Sequence, residues 1–240
     1  MISSTAKAPA KSAYWAGVRD GMPFILMALP FATLFGVVAT EAGLSVAQAM
    51  GFTVLVIAGA AQFAAVQMMM EDAGIAFVLL AALAVNLRMA MYSASLVPYL
   101  GPAPLWQRAF VAYLNFDQTF ITSVARYEAR PEMRVPDRVA YFFGVATPIT
   151  PVWFIMTLVG ILAGSAIPEA WALDFIVPIM FLAMVAPMLK SLAHVAAAAM
   201  SIIVALALVG LPSGTGLLVA AAAAMVTGAL VETWMERRKP

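Results

Sequence analysis

The chain has 240 residues, of which 64% are hydrophobic and 10% charged, with a mean hydropathy of +0.97 and a formal net charge of +1. Soluble globular domains carry about 25% charged residues, so the composition excludes one and indicates an all-α polytopic membrane protein; the near-zero net charge gives no reason to expect a nucleic-acid partner. Cysteine is absent and His194 is the single histidine, which excludes disulfides and argues against haem, iron–sulfur and Cys/His zinc centres, so neither a cofactor nor a metal is expected.

Residues 1–21 read as a cytoplasmic N-terminal segment, 22–234 as a single transmembrane domain and 235–240 as a basic cytoplasmic tail. Lys7, Lys11 and Arg19 before the first apolar run resemble a signal peptide's basic start. That run is too long and contains Pro23 and Pro30, so it reads as a retained first helix. Cutting at charges and Gly/Pro clusters gives helices at roughly 22–41, 45–70, 74–99, 104–126, 138–166, 171–190, 192–210 and 214–233. With the N-terminus inside, eleven Lys and Arg residues fall on the cytoplasmic side and only Arg108 on the other. This favours about eight crossings with both termini cytoplasmic. Asn115, Asp117, Gln118 and Thr119 interrupt the fourth segment, and if it is re-entrant seven crossings remain. A weak echo at an offset of about 124 residues sets Gly36 against Gly160 and Asn86 against Gly210. Such an echo suits an internal repeat.

Arg88 lies near the middle of the third segment, roughly 20 Å from the helix start at 1.5 Å per residue. A charge at that depth costs ~2.5–3.5 kcal/mol even on a lenient scale, so it must face protein, water or a ligand. Arg88, Tyr92, Ser95 and Tyr99 fall on one helical stripe, with Asn86 and Ser93 on nearly the opposite face. A guanidinium suits a carboxylate through two parallel N–H bonds. Arg88 is therefore an anchor for a substrate carboxylate or one half of an ion pair that breaks and reforms during transport; without such a role it is a permanent partner of Asp117, the one carboxylate deep within a helix, or of carbonyls freed at a helix break near Asn86. Asp117 itself reads as a proton carrier or as that ion-pair partner. Gln62 and Gly59 in the second segment suit helix packing or exposed backbone at a binding site. Lys190 and His194 read as charge at a helix end. The five tryptophans mostly fall near span ends, as an interfacial belt does.

The stretches "GMPFILMALPFATLFGVVATEAGLSVAQAM", "VIAGAAQF" and "NLRMAMYSASLVPYL" resemble the AzlC family, named for azaleucine resistance and containing the large subunits of branched-chain amino acid exporters. "WFIMTLVGILAG" and "ALDFIVPIMFLAMVAPMLK" resemble its second half. The resemblance implies an inner-membrane exporter of valine, leucine, isoleucine and perhaps methionine, driven by the ion gradient and working with a small AzlD-type subunit. It carries Gly59, Gln62, Asn86, Arg88, Tyr92 and Ser93 over as candidate site residues; Ser95 joins them from the polar stripe. Met89 stands where the family often has histidine or an aromatic, which bears on substrate choice. Two alternatives remain, a passive channel or facilitator for small organic solutes, and a membrane-embedded enzyme. Against the enzyme, Ser93 and Ser95 have no histidine at matching depth, and Asp117 has no second carboxylate.

Overall fold

Glycine ends the first long apolar stretch. Gly43 has a φ of +79°, the left-handed conformation that terminates a helix, and the Leu44 amide reaches back to the Ala39 carbonyl at 3.0 Å. The computed structural model, which describes residues 10–164, 189, 191–210 and 215–237, places α1 at Ala10–Gly21, a 3-10 turn at Met22–Phe24 and α2 at Ile25–Glu41 ahead of that stop. There follow α3 (Val46–Leu55), α4 (Gly59–Met70), α5 (Ile75–Leu100), α6 (Leu105–Tyr113), α7 (Asp117–Ala129), α8 (Val135–Gly164), α9 (Leu192–Ala207) and α10 (Thr215–Glu236). No strand occurs among the described residues, in line with the all-α expectation. Among the described residues three stretches, Ala10–Glu41, Ile75–Leu100 and Val135–Gly164, are long and apolar enough to cross a membrane. The first of them begins at Ala10, twelve residues ahead of the expected start at 22. The expected helix at 171–190, with Trp171 and Lys190, lies outside the described residues, as do Lys7, Arg238 and Lys239.

Two compact units can be distinguished, Met1–Phe63 with Ala82–Ala166, and Ala64–Ala81 with Ile167–Pro240. In the first, α1 and α2 lie parallel along α8, and glycine makes the approach close enough for backbones to touch. A Cβ on Gly36 would strike the Thr157 carbonyl, and one on Gly160 would strike the Thr33 carbonyl. The same exchange occurs one level away, where Gly17 sits on the Tyr141 carbonyl and Gly144 on the Tyr14 carbonyl. Side chains repeat it: Tyr14 Oη donates to Thr147 Oγ1 at 2.9 Å, and Tyr141 Oη donates to Asp20 Oδ2 at 2.7 Å. Tyr14, Gly17 and Asp20 correspond to Tyr141, Gly144 and Thr147 at an offset of 127, and Thr33 and Gly36 to Thr157 and Gly160 at 124. The three-residue difference equals the length of the Met22–Phe24 turn.

The direction of α5 decides how the intervening chain is threaded. Arg138, at the start of α8, donates to the Tyr99 carbonyl at the end of α5 at 3.4 Å, and its guanidinium lies over the Tyr99 and Tyr127 rings. So α5 runs antiparallel to α8, ending where α1 and α8 begin. The α6–α7 pair therefore leaves and returns on one side, as its contacts along α5 confirm. Asn115 reaches Ser93, Phe120 stacks on Tyr92 at 4.2 Å, and the Tyr127 and Tyr99 rings lie 5.3 Å apart. The segment expected at 104–126 does not cross; it is a helical hairpin with its tip at 114–116. On the opposite side, α3 starts where α2 stops. Phe52 of α3 and Phe63 of α4 both pack edge-on against Phe35, at 5.9 and 5.7 Å. Eleven residues apart, they would be about 16 Å apart along a straight helix. The expected single helix at 45–70 is thus a second hairpin, entering from the opposite side and turning at 56–58.

Each hairpin has local causes. Ser45 and Gln48 form a capping box that starts α3, and β-branched Val56 and Ile57, poor helix formers, precede Gly59 at the turn. Pro104 precedes α6, and the Thr119 hydroxyl lies 2.7 Å from the Leu114 carbonyl and 2.8 Å from that of Phe116, taking up groups freed at the break. In the second unit α9 packs on α10 through small residues, with Gly228 against Ala197.

Candidate functional site

Ending a helix inside an apolar environment frees backbone groups that must find partners. Both hairpin tips show how this is met. Tyr113 Oη donates to the freed Val54 carbonyl at 2.6 Å, tying one tip to the other. Trp153, on α8, donates from Nε1 to Thr53 Oγ1 at 2.8 Å while its ring covers Gly59, where a Cβ would come within 2.7 Å. Gly59 is thus a packing position for an indole, which explains why no larger residue fits. Trp153 is half-buried in mid-helix and not part of an interfacial belt; Trp15, Trp106 and Trp234 are exposed.

Asp117 opens α7 at the other tip, where the helix N-terminus favours negative charge. Arg88 Nη1 lies 3.0 Å from Asp117 Oδ2, and Tyr92 Oη donates to Asp117 Oδ1 at 2.9 Å. Both carboxylate oxygens are therefore engaged from α5. Arg88 Nε is buried and has no hydrogen-bond partner among the described residues. The pair keeps 26% and 35% of its side-chain surface exposed, so other groups can reach it.

Of the residues singled out from sequence, Arg88, Tyr92 and Asp117 come together directly. Ser93, on the other face of α5, accepts from Asn115 Nδ2 at 3.3 Å and so joins the same tip. Ser95 does not join: it is exposed and donates to the Met91 carbonyl of its own helix. Tyr99 belongs to the Arg138 cluster at the helix end. The Asn86 Oδ1 is buried without a partner among the described residues, and so are both polar atoms of Gln62, a fully buried side chain. His194 takes the first turn of α9, where its amide donates to Ser191 Oγ. Sequence reasoning named Asn115 only as an interruption and missed Tyr113, Trp153 and Thr53. The signal was available at Asn115, whose amide sits two residues before the acidic group in an apolar run. Among the described residues, no three His, Cys, Asp or Glu side chains gather closely enough to hold a metal ion.

Long apolar helices flanking two half-helix tips, with an ion pair at one of them, define a membrane protein of the transporter type. The chain belongs to the AzlC family: the family model described as AzlC protein matches residues 23–167. The chain is also 25% identical over 186 residues to the inner membrane protein YgaZ of Escherichia coli (strain K12), covering 73% of each. No solved structure matches it.

Proposed function

We propose that this chain is the large subunit of a secondary exporter of branched-chain amino acids, valine, leucine, isoleucine and methionine among them, working in the inner membrane as a multi-pass protein with a small AzlD-type subunit and the ion gradient. The observation that carries this reading is the Arg88–Asp117 pair at 3.0 Å, set at a broken-helix tip. Arg88 holds Asp117 in the resting state and exchanges it for the carboxylate of a substrate. Asp117 takes a single contact from Arg88 Nη1, so a substrate carboxylate that takes both prongs of the guanidinium replaces it at little cost. Asp117, released from Arg88, becomes free to take a proton. Tyr92 holds the second oxygen of Asp117 in place until then, while Asn86, Gln62 and Ser93 line the path. Discrimination among branched side chains by single methylenes is worth only ~1–3 kcal/mol, so broad specificity follows.

In this reading the basic ends of α1, α7 and α8 lie in the cytoplasm and residues 22–234 make up the transport domain, with 1–21 and 235–240 cytoplasmic. The test is efflux of the four amino acids from dipeptide-loaded bacteria that lack their own exporters and express this chain with the small subunit from its source. Accelerated efflux that collapses with an uncoupler is the expected result. Efflux indifferent to the uncoupler would replace the exporter with a passive facilitator. A properly inserted Arg88→Ala chain that exports at the wild-type rate would remove Arg88 from the site.

A further inference from the structure

Helices α5 and α7 carry the two halves of the ion pair, and they stay side by side from there to the basic side of the protein. Tyr92 stacks on Phe120 at 4.2 Å, the rings 9° from parallel, and seven residues further along both helices the Tyr99 and Tyr127 rings lie 5.3 Å apart. Leu96 and Val124 stand between these two rungs at the same offset of 28 residues, Leu96 buried and Val124 half-buried. Seven residues are about 10 Å of helix. The way between α5 and α7 from the ion pair to the basic side is thus closed at two levels, the second of them by the fully buried Tyr127.

One guanidinium fastens the second level. Arg138, at the start of α8, donates from Nη1 to the Tyr99 carbonyl at 3.4 Å and from Nη2 to the Pro131 carbonyl at 2.9 Å, and lies 5.5 and 5.8 Å from the centres of the Tyr99 and Tyr127 rings. It holds the end of α5 and the loop after α7 to α8 at once. Arg138 makes no ion pair among the described residues, and its neighbour Asp137 is taken by Arg134 at 2.9 Å. A guanidinium held by carbonyls and ring faces is released at less cost than one paired with a carboxylate, because no opposite charge is stranded. A permanent seal would be at least as stable with apolar side chains of similar volume in its place.

We propose that Tyr99, Tyr127 and Arg138 are the gate on the basic side of the transport path, with Arg138 as its latch, and that gate and ion pair open together. The linkage is mechanical: α7 carries both Asp117 and Tyr127, and α5 carries both Arg88 and Tyr99, so drawing the helices apart at one level draws them apart at the other. Opening exposes Arg88 to a solute from the basic side as it loses Asp117; closing restores the pair and shuts the way back. The gate rests on the transport reading for what passes through it, while its opening is measurable with no solute present.

The chain has no cysteine, so Val124→Cys places one thiol between the two rungs. In inside-out membrane vesicles a charged, membrane-impermeant maleimide should label it slowly. Arg138→Gln, which removes the latch, and Asp117→Asn, which removes the charge at the far end of α7, should each speed the labelling about tenfold, about 1.4 kcal/mol toward the open form. A permanent seal would respond to Arg138→Gln alone, so labelling indifferent to Asp117→Asn would overturn the linked gate. Bridging Leu96→Cys to Val124→Cys with a short bifunctional thiosulfonate should stop leucine efflux until a reductant cuts the bridge; efflux that continues through the bridged chain would also overturn the gate. A chain that exports no leucine even without the bridge would sink the export reading, and labelling that still quickens with Asp117→Asn would leave the gate standing.

Discussion

Tyr113, at the tip of one hairpin, is hydrogen-bonded at 2.6 Å to the backbone carbonyl of Val54 at the tip of the other. Two segments that enter from opposite sides are thereby fastened to each other. The bond satisfies a carbonyl that the α3 terminus would otherwise leave unpaired.

Tyr113→Phe keeps the ring and removes only the donor. Stability should fall by about 0.5–1.5 kcal/mol, the net worth of an ordinary hydrogen bond, since Tyr113 and Val54 are both exposed, read as a lower midpoint of thermal unfolding in detergent. An unchanged midpoint would mean that the two tips are held by packing alone.

Arg88 and Asp117 should behave as a coupled pair. Removing either partner strands a charge, so the double substitution should destabilise by less than the sum of Arg88→Ala and Asp117→Ala. The coupling energy from a double-mutant cycle should be about 1–3 kcal/mol, below that of a fully buried pair because both side chains keep some exposure. Additive effects would dismiss the pair as incidental. Arg88→Lys should impair export strongly, because the ammonium loses the forked geometry.

Gly36→Ala and Gly160→Ala each drive a methyl into backbone that has nowhere to go. Each should cost about 1–3 kcal/mol by overpacking. Gly51→Ala, where an added Cβ has nothing within 4 Å, should be neutral or stabilising, since alanine is the better helix former by about 1 kcal/mol. Equal effects at the three positions would contradict the close α2–α8 approach.

The threading gives a labelling pattern. Because the chain lacks cysteine, Gln107→Cys and Arg130→Cys should be labelled from the same side of the membrane, the cytoplasmic one, and Glu41→Cys, at the end of α2, from the other. Labelling of Gln107→Cys and Arg130→Cys from opposite sides would restore α6–α7 as a full crossing.

The all-helical class and the Arg88–Asp117 pair were legible in the sequence, the latter because one carboxylate deep in an apolar helix has few partners to choose from. The hairpins were not. Two half-helices of about ten residues each have the length and apolarity of a single crossing, and helical periodicity carries no sign of direction. One trace of the error was visible: Arg108 stood alone against the charge asymmetry. The structure returns it to the basic side, next to the end of α5, while acidic Glu41 at the end of α2 marks the other. Ser95 and Tyr99 were grouped with Arg88 because they share its stripe. Eleven residues of helix span about 16 Å, which is longer than one ion-pair site, and Tyr99 accordingly answers to Arg138.

The exchange of contacts between α1–α2 and α8 has a symmetry of its own. Tyr-x-x-Gly and Thr-x-x-Gly recur in the same order and point the same way, so each side gives the other what it takes, as across the self-complementary face of a two-fold dimer. A change that opens the seam at Gly36 should therefore open it equally at Gly160.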